Sequence, residues 1–198
     1  MRAQLKRIAE CAEVLPGYAL KARAEHEPEG TYQVMMAKHI PDCRPYRYID
    51  EHELRMTPAG SPENYRVQKG DVLFISRGVR NCAAVIESVP EKTIASATFY
   101  ILRVYPTVDP SYLAWCLNQP PIQAQIGQIR TGAGTPIVQR NALGDVQIPV
   151  PPLEEQKRLV ELGALMAEEL RLRKRLVEAT EAYHRVLGQQ LITELNQD

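Results

Sequence analysis

From Leu153 to Leu195 apolar residues return every three or four positions, and no proline interrupts them. That spacing predicts one long helix. At about 1.5 Å per residue it would run roughly 60 Å, further than a body of about 150 residues can cover. The stripe includes Leu159, Leu162, Leu165, Met166, Leu170, Leu176, Val177, Tyr183, Leu187 and Leu191. Part of it needs another helix, and the favoured expectation is coiled-coil-type pairing with a second chain. The alternatives are a helix bent back on the body at Gly163 or Gly188, and an arm that stays frayed until it meets a partner. The run Arg171, Arg173, Lys174, Arg175 reads as a solvated face of the same helix, with phosphate contact as the alternative.

A rigid corner precedes the helix. Val146, Ile148 and Val150 alternate as in a strand, and Pro149, Pro151 and Pro152 end that strand where a missing N–H is harmless. Glu154 and Glu155 then place negative charge at the positive end of the helix dipole. The chain divides accordingly into a globular domain over 1–150 and a helical segment over 151–198.

The 198 residues, 44% of them hydrophobic, suffice for one buried core and an appendage. Strands are expected over Thr31 to Met36, Val72 to Ile75, Asn81 to Ile86 and Thr93 to Val104. Asp109 or Ser111 caps a helix through Leu117, and a second short helix fits Ile122 to Ile129. Pro16-Gly17 is a turn signal, Pro41 to Pro62 reads as irregular or edge structure, and Thr131 to Pro136 as a loop. The expected class is α+β: a twisted sheet with peripheral helices, then one long C-terminal coiled-coil-type helix.

Formal net charge is zero, which argues against non-specific coating of nucleic acid but leaves local patches open. The first residues lack the apolar core of a secretory signal, and no apolar run approaches the roughly 20 residues that span a bilayer. Cys11, Cys43, Cys82 and Cys116 are scattered and never at metal-ligand spacing, so they read as reduced thiols of a cytoplasmic protein with no membrane contact.

No catalytic constellation emerges. Asn118-Gln119-Pro120-Pro121 approximates the Asn-Pro-Pro-aromatic signature of adenine methyltransferases, but Gln119 intervenes and Ile122 replaces the aromatic. Glu155-Gln156-Lys157 has a nuclease-like Glu-x-Lys spacing behind Asp145, yet it falls on a helix start and not on adjacent strands around a metal. His26, His39, His52 and His184 lack ligand spacing. No metal, cofactor or catalytic residue is expected, which favours a binding protein.

Three segments could bind. Ser76 to Asn81 follows a buried strand and offers Arg77, Arg80 and Asn81, residue types that fork onto guanine, phosphate or adenine; the plainer reading is a solvated turn. Thr131 to Arg140 supplies Thr131, Thr135, Gln139 and Arg140 around two glycines, or is an ordinary connector. A weaker cluster holds Lys38, His39, Arg44, Tyr46, Arg47 and Tyr48, with Asp42, Asp50, Glu51 and Glu53 offsetting much of its charge.

The order of these segments resembles the DNA-specificity subunit of type I restriction–modification systems. The matching pieces are Gly70-Asp71-Val72-Leu73-Phe74-Ile75-Ser76-Arg77-Gly78, then Thr131-Gly132 with Leu143-Gly144-Asp145-Val146-Gln147-Ile148-Pro149, and finally Pro151-Pro152-Leu153-Glu154-Glu155-Gln156. Together they frame almost the whole chain, although no base-reading residue carries over between such variable domains. The usual subunit holds two recognition domains and two long helices; this chain has one of each. The resemblance therefore implies a half-length, non-catalytic subunit with a single target-recognition domain. It would form a homodimer through its long helix, bind double-stranded DNA at a bipartite palindromic site, and recruit methyltransferase subunits, with a restriction subunit left open. The alternative is a stand-alone scaffold, or an inhibitor that mimics a specificity subunit without reading DNA.

Overall fold

The computed structural model describes residues 3–20 and 25–196. They fall into two compact units, one ending at Lys157 and the other beginning at Arg158. In chain order the first unit carries β1 (Gln4–Arg7), β2 (Ala12–Pro16), β3 (Tyr32–Met35), β4 (Tyr46–Arg47), β5 (Arg55–Met56), β6 (Val72–Ile75), β7 (Ala83–Ser88), β8 (Thr93–Ala95) and β9 (Phe99–Val104). Then come α1 (Pro110–Leu117), α2 (Pro120–Gln128), β10 (Arg130–Thr131), β11 (Ile137–Val138), α3 (Arg140–Asp145) and β12 (Gln147–Val150). The helix α4 (Leu153–Leu195) starts in this unit and supplies the second.

The class is the expected α+β, but the sheet is divided. A five-stranded sheet runs β2-β9-β6-β7-β4, and a three-stranded sheet runs β5-β3-β8. The division lies inside the apolar run Thr93 to Val104. A turn closed by the Phe99 amide donating to the Ser96 carbonyl (3.0 Å) sends β8 to one sheet and β9 to the other. Gly17 lies against this turn. A Cβ on it would come within 2.1 Å of the Ser96 carbonyl oxygen, so only glycine lets the two backbones approach.

All four residues of β6 are buried, as their unbroken apolar run requires of a strand covered on both faces. Leu73 and Ile75 join a core with Met35, Ile86, Phe99 and Ile101. On the β6–β7 pair packs α1. Each such side chain stabilises the fold by about 1.5–3 kcal/mol. Asp109 caps α1 as expected, its carboxylate accepting from the Tyr112 amide at 3.0 Å. Pro149 departs from its expected role as a strand stop. It lies inside β12 opposite Leu5 of β1. A proline is tolerated there because β12 pairs on one side alone, so no second ladder needs its N–H.

The α4 helix runs 43 residues through both Gly163 and Gly188 without a break, which removes the bent-helix alternative. Its apolar stripe is exposed along the second unit, from Leu162 and Met166 through Leu176 (68%) and Tyr183 to Leu191, with Leu159 half-buried. Among the described residues no helix is long and apolar enough to cross a membrane.

The cysteine reading needs correction. Cys43 and Cys82 form a disulfide with Cα atoms 5.6 Å apart, across 39 residues of sequence. Distance along the chain gave no hint of it, because an irregular proline-rich segment folds back beside the start of β7. Cys11 and Cys116 are free and buried. Burial pushes the Cys116 thiol up to about 11 and raises that of Cys11, leaving both unreactive.

Candidate nucleic-acid interface

The connector between β6 and β7, residues 76–82, is held by both backbone and side-chain bonds. At its base the Ile75 amide donates to the Cys82 carbonyl (2.9 Å), and the Asn81 side-chain amide donates to the Ile75 carbonyl (3.0 Å). Gln123 of α2 donates to the Asn81 carbonyl (2.8 Å). Gly78 takes the left-handed conformation, φ +86°, with open space where a side chain would be. That turn lifts Arg77, Val79 and Arg80 into solvent.

Two further sequence segments meet this connector. The Gly78 amide donates to the Pro136 carbonyl (2.8 Å), the Val138 amide donates to the Ser76 carbonyl (2.9 Å), and Arg77 bridges Ile137. The β10–β11 hairpin with its Gly132–Pro136 tip therefore lies alongside. Tyr100 braces both, its hydroxyl donating to the Val138 carbonyl (2.9 Å). Burial raises the Tyr100 phenol, while the nearby Arg140 and Arg77 charges pull it back. From the other side the Arg80 guanidinium donates to the carbonyls of Pro41 and Ala37. The Cys43–Cys82 bond and an Asn118 amide donating to the Cys43 carbonyl (3.4 Å) fasten the same segment.

Three stretches that sequence analysis had treated separately are thus brought to one face. Arg77, Thr131, Thr135, Gln139, Arg140, Lys38 and Arg44 are exposed there. Among the described residues Lys38, Arg44, Arg77, Arg80 and Arg140 have no carboxylate partner. By contrast Arg55, Arg66 and Arg103 are paired with Glu53, Glu63 and Asp71. Unpaired guanidiniums on an ordered loop are what an anionic backbone or a base edge would meet.

Three expected residues take other roles. Asn81 is 1% exposed, its Nδ2 donating to Ile75 to close the connector and its Oδ1 buried without a hydrogen-bond partner. Arg47 is exposed but paired with Glu87, which cancels its charge. His39 is 5% exposed, stacked on His52 at 5.0 Å, and its Nδ1 accepts from the Met36 amide. Burial, helped by the charges of His52 and Lys38, holds its imidazole down to about 4, so it is neutral at pH 7. The unfolded chain takes up that proton near pH 6.5, so stability should fall as pH drops from there toward 4, by up to about 1.4 kcal/mol per unit. Denaturant titrations across this window should show the slope in the wild type and lose it in His39→Gln.

Two residues hold the fold in ways their local sequence pattern does not show. Asn118, weighed only as part of a methyltransferase-like string, uses its amide as a surrogate peptide: Oδ1 accepts from the Ala83 amide (2.9 Å) and Nδ2 donates to the Ala83 carbonyl (2.8 Å). Pro120 and Pro121 simply open α2. Gln156 is wholly buried. Its Oε1 accepts from the Asp109 amide (2.7 Å) and its Nε2 donates to the carbonyls of Pro151 (2.7 Å) and Thr107 (3.3 Å). The Pro-Pro-Leu-Glu-Glu-Gln string marked it without explaining it. Among the described residues no group of three or more His, Cys, Asp or Glu could hold a metal ion.

None of the curated proteins compared with the chain matches it. Solved structures do. A structure concerning complex assembly and conformational transition of the type I R-M system matches with TM-score 0.71 at 19% identity, over 93% of this chain and 43% of that one. The type I restriction–modification S subunit from M. genitalium matches with TM-score 0.55 at 14% identity, over 88% and 41%. The HsdS subunit from Thermoanaerobacter tengcongensis matches with TM-score 0.58 at 20% identity, over 87% and 39%. The chain spans about two fifths of the length of these structures, and at such identities the likeness establishes the fold. The sequence pattern described as type I restriction modification DNA specificity domain matches residues 3–162, and the chain belongs to that family.

Proposed function

We propose that this chain is a non-catalytic DNA-recognition subunit that reads double-stranded DNA with the face built from the β6–β7 connector, the β10–β11 hairpin and residues 37–44. The observation that carries this reading is the convergence on one braced face of three segments whose Lys38, Arg44, Arg77, Arg80 and Arg140 have no carboxylate partner among the described residues, in a member of a DNA-specificity family. Arg77 is the leading base-reading candidate because it is exposed and held in place through its backbone. Arg77→Ala should weaken binding by about 1–3 kcal/mol at one base pair of the selected site. Uniform weakening on all duplexes, with a shallower salt dependence, would make it a phosphate contact instead.

The exposed stripe of α4 supports a homodimer whose helices pair, which would place two copies of the reading face on a bipartite, palindromic site. Methyltransferase subunits are the partners that would act on the bound DNA, in the cytoplasm, and any methyl donor would belong to them. Leu176→Glu puts a charge in the middle of the stripe and should convert the dimer to monomers on sizing. A variant that stays dimeric would remove the helix from the interface. The formal zero net charge favours the second reading, a scaffold or inhibitor that mimics such a subunit without touching DNA. Selection from a randomised duplex pool, with and without a methyltransferase partner, separates the two: enrichment of a two-part motif belongs to the first reading alone.

A further inference from the structure

We propose that Val79 is a specificity-determining residue that reads the 5-methyl group of a pyrimidine in the DNA major groove. The inference rests on the DNA-reading function proposed above and adds a named contact to it.

Val79 is 73% exposed, more than any other large apolar side chain among the described residues of the first unit. Isolated exposed valines are common and by themselves mean little. The surroundings set this one apart. It stands at the crest of the connector between Arg77 and Arg80, which is tied down on one side through a backbone amide and on the other through side chains. Before it, the Gly78 amide is bound to Pro136. After it, Arg80 is bound to Ala37 and Pro41, and Asn81 to Ile75. A loop so restrained loses little conformational freedom on binding, so what it presents is already placed.

Charge, shape and chemistry then narrow the ligand. Two guanidiniums flanking one branched aliphatic group suit a surface that is anionic at its rim and apolar at one spot. The major groove has that pattern at thymine, whose C5 methyl is the apolar feature among the base edges. 5-Methylcytosine carries the same methyl at the same place. A valine adds no charge and no hydrogen bond, so it would contribute nothing to a phosphate contact and would act only where a methyl is present.

The test uses the full chain and the duplex selected from a randomised pool. Each thymine of the selected site is replaced in turn by uracil, which removes only the methyl. One position should weaken wild-type binding about fourfold, the effect of withdrawing one buried methyl, and neither Val79→Ser nor Val79→Ala should respond there. 5-Methylcytosine at that position should bind more tightly than cytosine, again only to the wild type. Because Val79 is largely exposed, an unchanged thermal midpoint checks that both variants are folded. A wild type indifferent to every uracil, or variants that keep the full uracil penalty, would overturn the role of Val79 while leaving DNA reading intact. A pool that yields no enriched sequence would overturn both.

Discussion

Reducing the Cys43–Cys82 bond should lower the unfolding free energy by about 4 kcal/mol, the loop-closure entropy of a segment of some 40 residues. The effect should be large because the bond fastens a region with little regular structure of its own. Between β3 and β6 the described chain offers two-residue strands and single turns of 3-10 helix. Cys43 itself sits at φ +57°, the one non-glycine residue with positive φ among those described, a conformation that opposes the fold by roughly 1–2 kcal/mol. Denaturant titrations with and without a thiol reductant should differ in midpoint, and the reduced protein should show the steeper slope because its unfolded chain, freed of the crosslink, exposes more surface. The Cys43→Ser, Cys82→Ser double variant should match the reduced protein and ignore the reductant. An oxidised sample no more stable than a reduced one would mean that the link contributes nothing in solution.

Gln156→Ala should be the most damaging single substitution near the start of α4. It strips partners from the Asp109 amide and the Pro151 carbonyl and leaves a void where a fully buried side chain stood. Each unsatisfied buried group costs about 1–3 kcal/mol, so a loss of about 3 kcal/mol is expected. Gln156→Glu keeps the acceptor, loses the donor and buries a carboxylate, and should be as harmful at neutral pH. Gln156→Met retains volume without hydrogen bonds and should fall between wild type and alanine. Thermal or denaturant unfolding of the three variants tests the order, and an alanine variant as stable as wild type would deny Gln156 this part.

The elements legible in sequence were those whose signals are local. Four consecutive apolar residues at Val72 to Ile75, an aspartate before Pro110, and 43 proline-free positions with helical periodicity each act on their own neighbourhood. The misreadings came where the folded surroundings, and not residue type or local spacing, decide what a side chain does. Cys43 and Cys82 lie 39 positions apart. Asn81 looked like a reader of bases because its type suits adenine, but its amide was already committed to Ile75. Arg47 and His39 had the right chemistry in the wrong surroundings, one beside Glu87 and the other under the 37–52 turns. Periodicity could not reveal that the β6–β7 connector and the β10–β11 hairpin, more than 50 positions apart, would touch. The convergence that carries the functional reading was therefore absent from any local signal.

The crest of the β6–β7 connector owes its shape to groups that are not on display. Main-chain amides, a glycine and an inward-turned asparagine hold its course, while the outward tips at positions 77 and 79 support nothing beneath them. Exchanging those two side chains should leave the architecture standing and change only what is met on the outside. A lineage could therefore drift toward new target sequences one crest substitution at a time without first rebuilding the body that carries them.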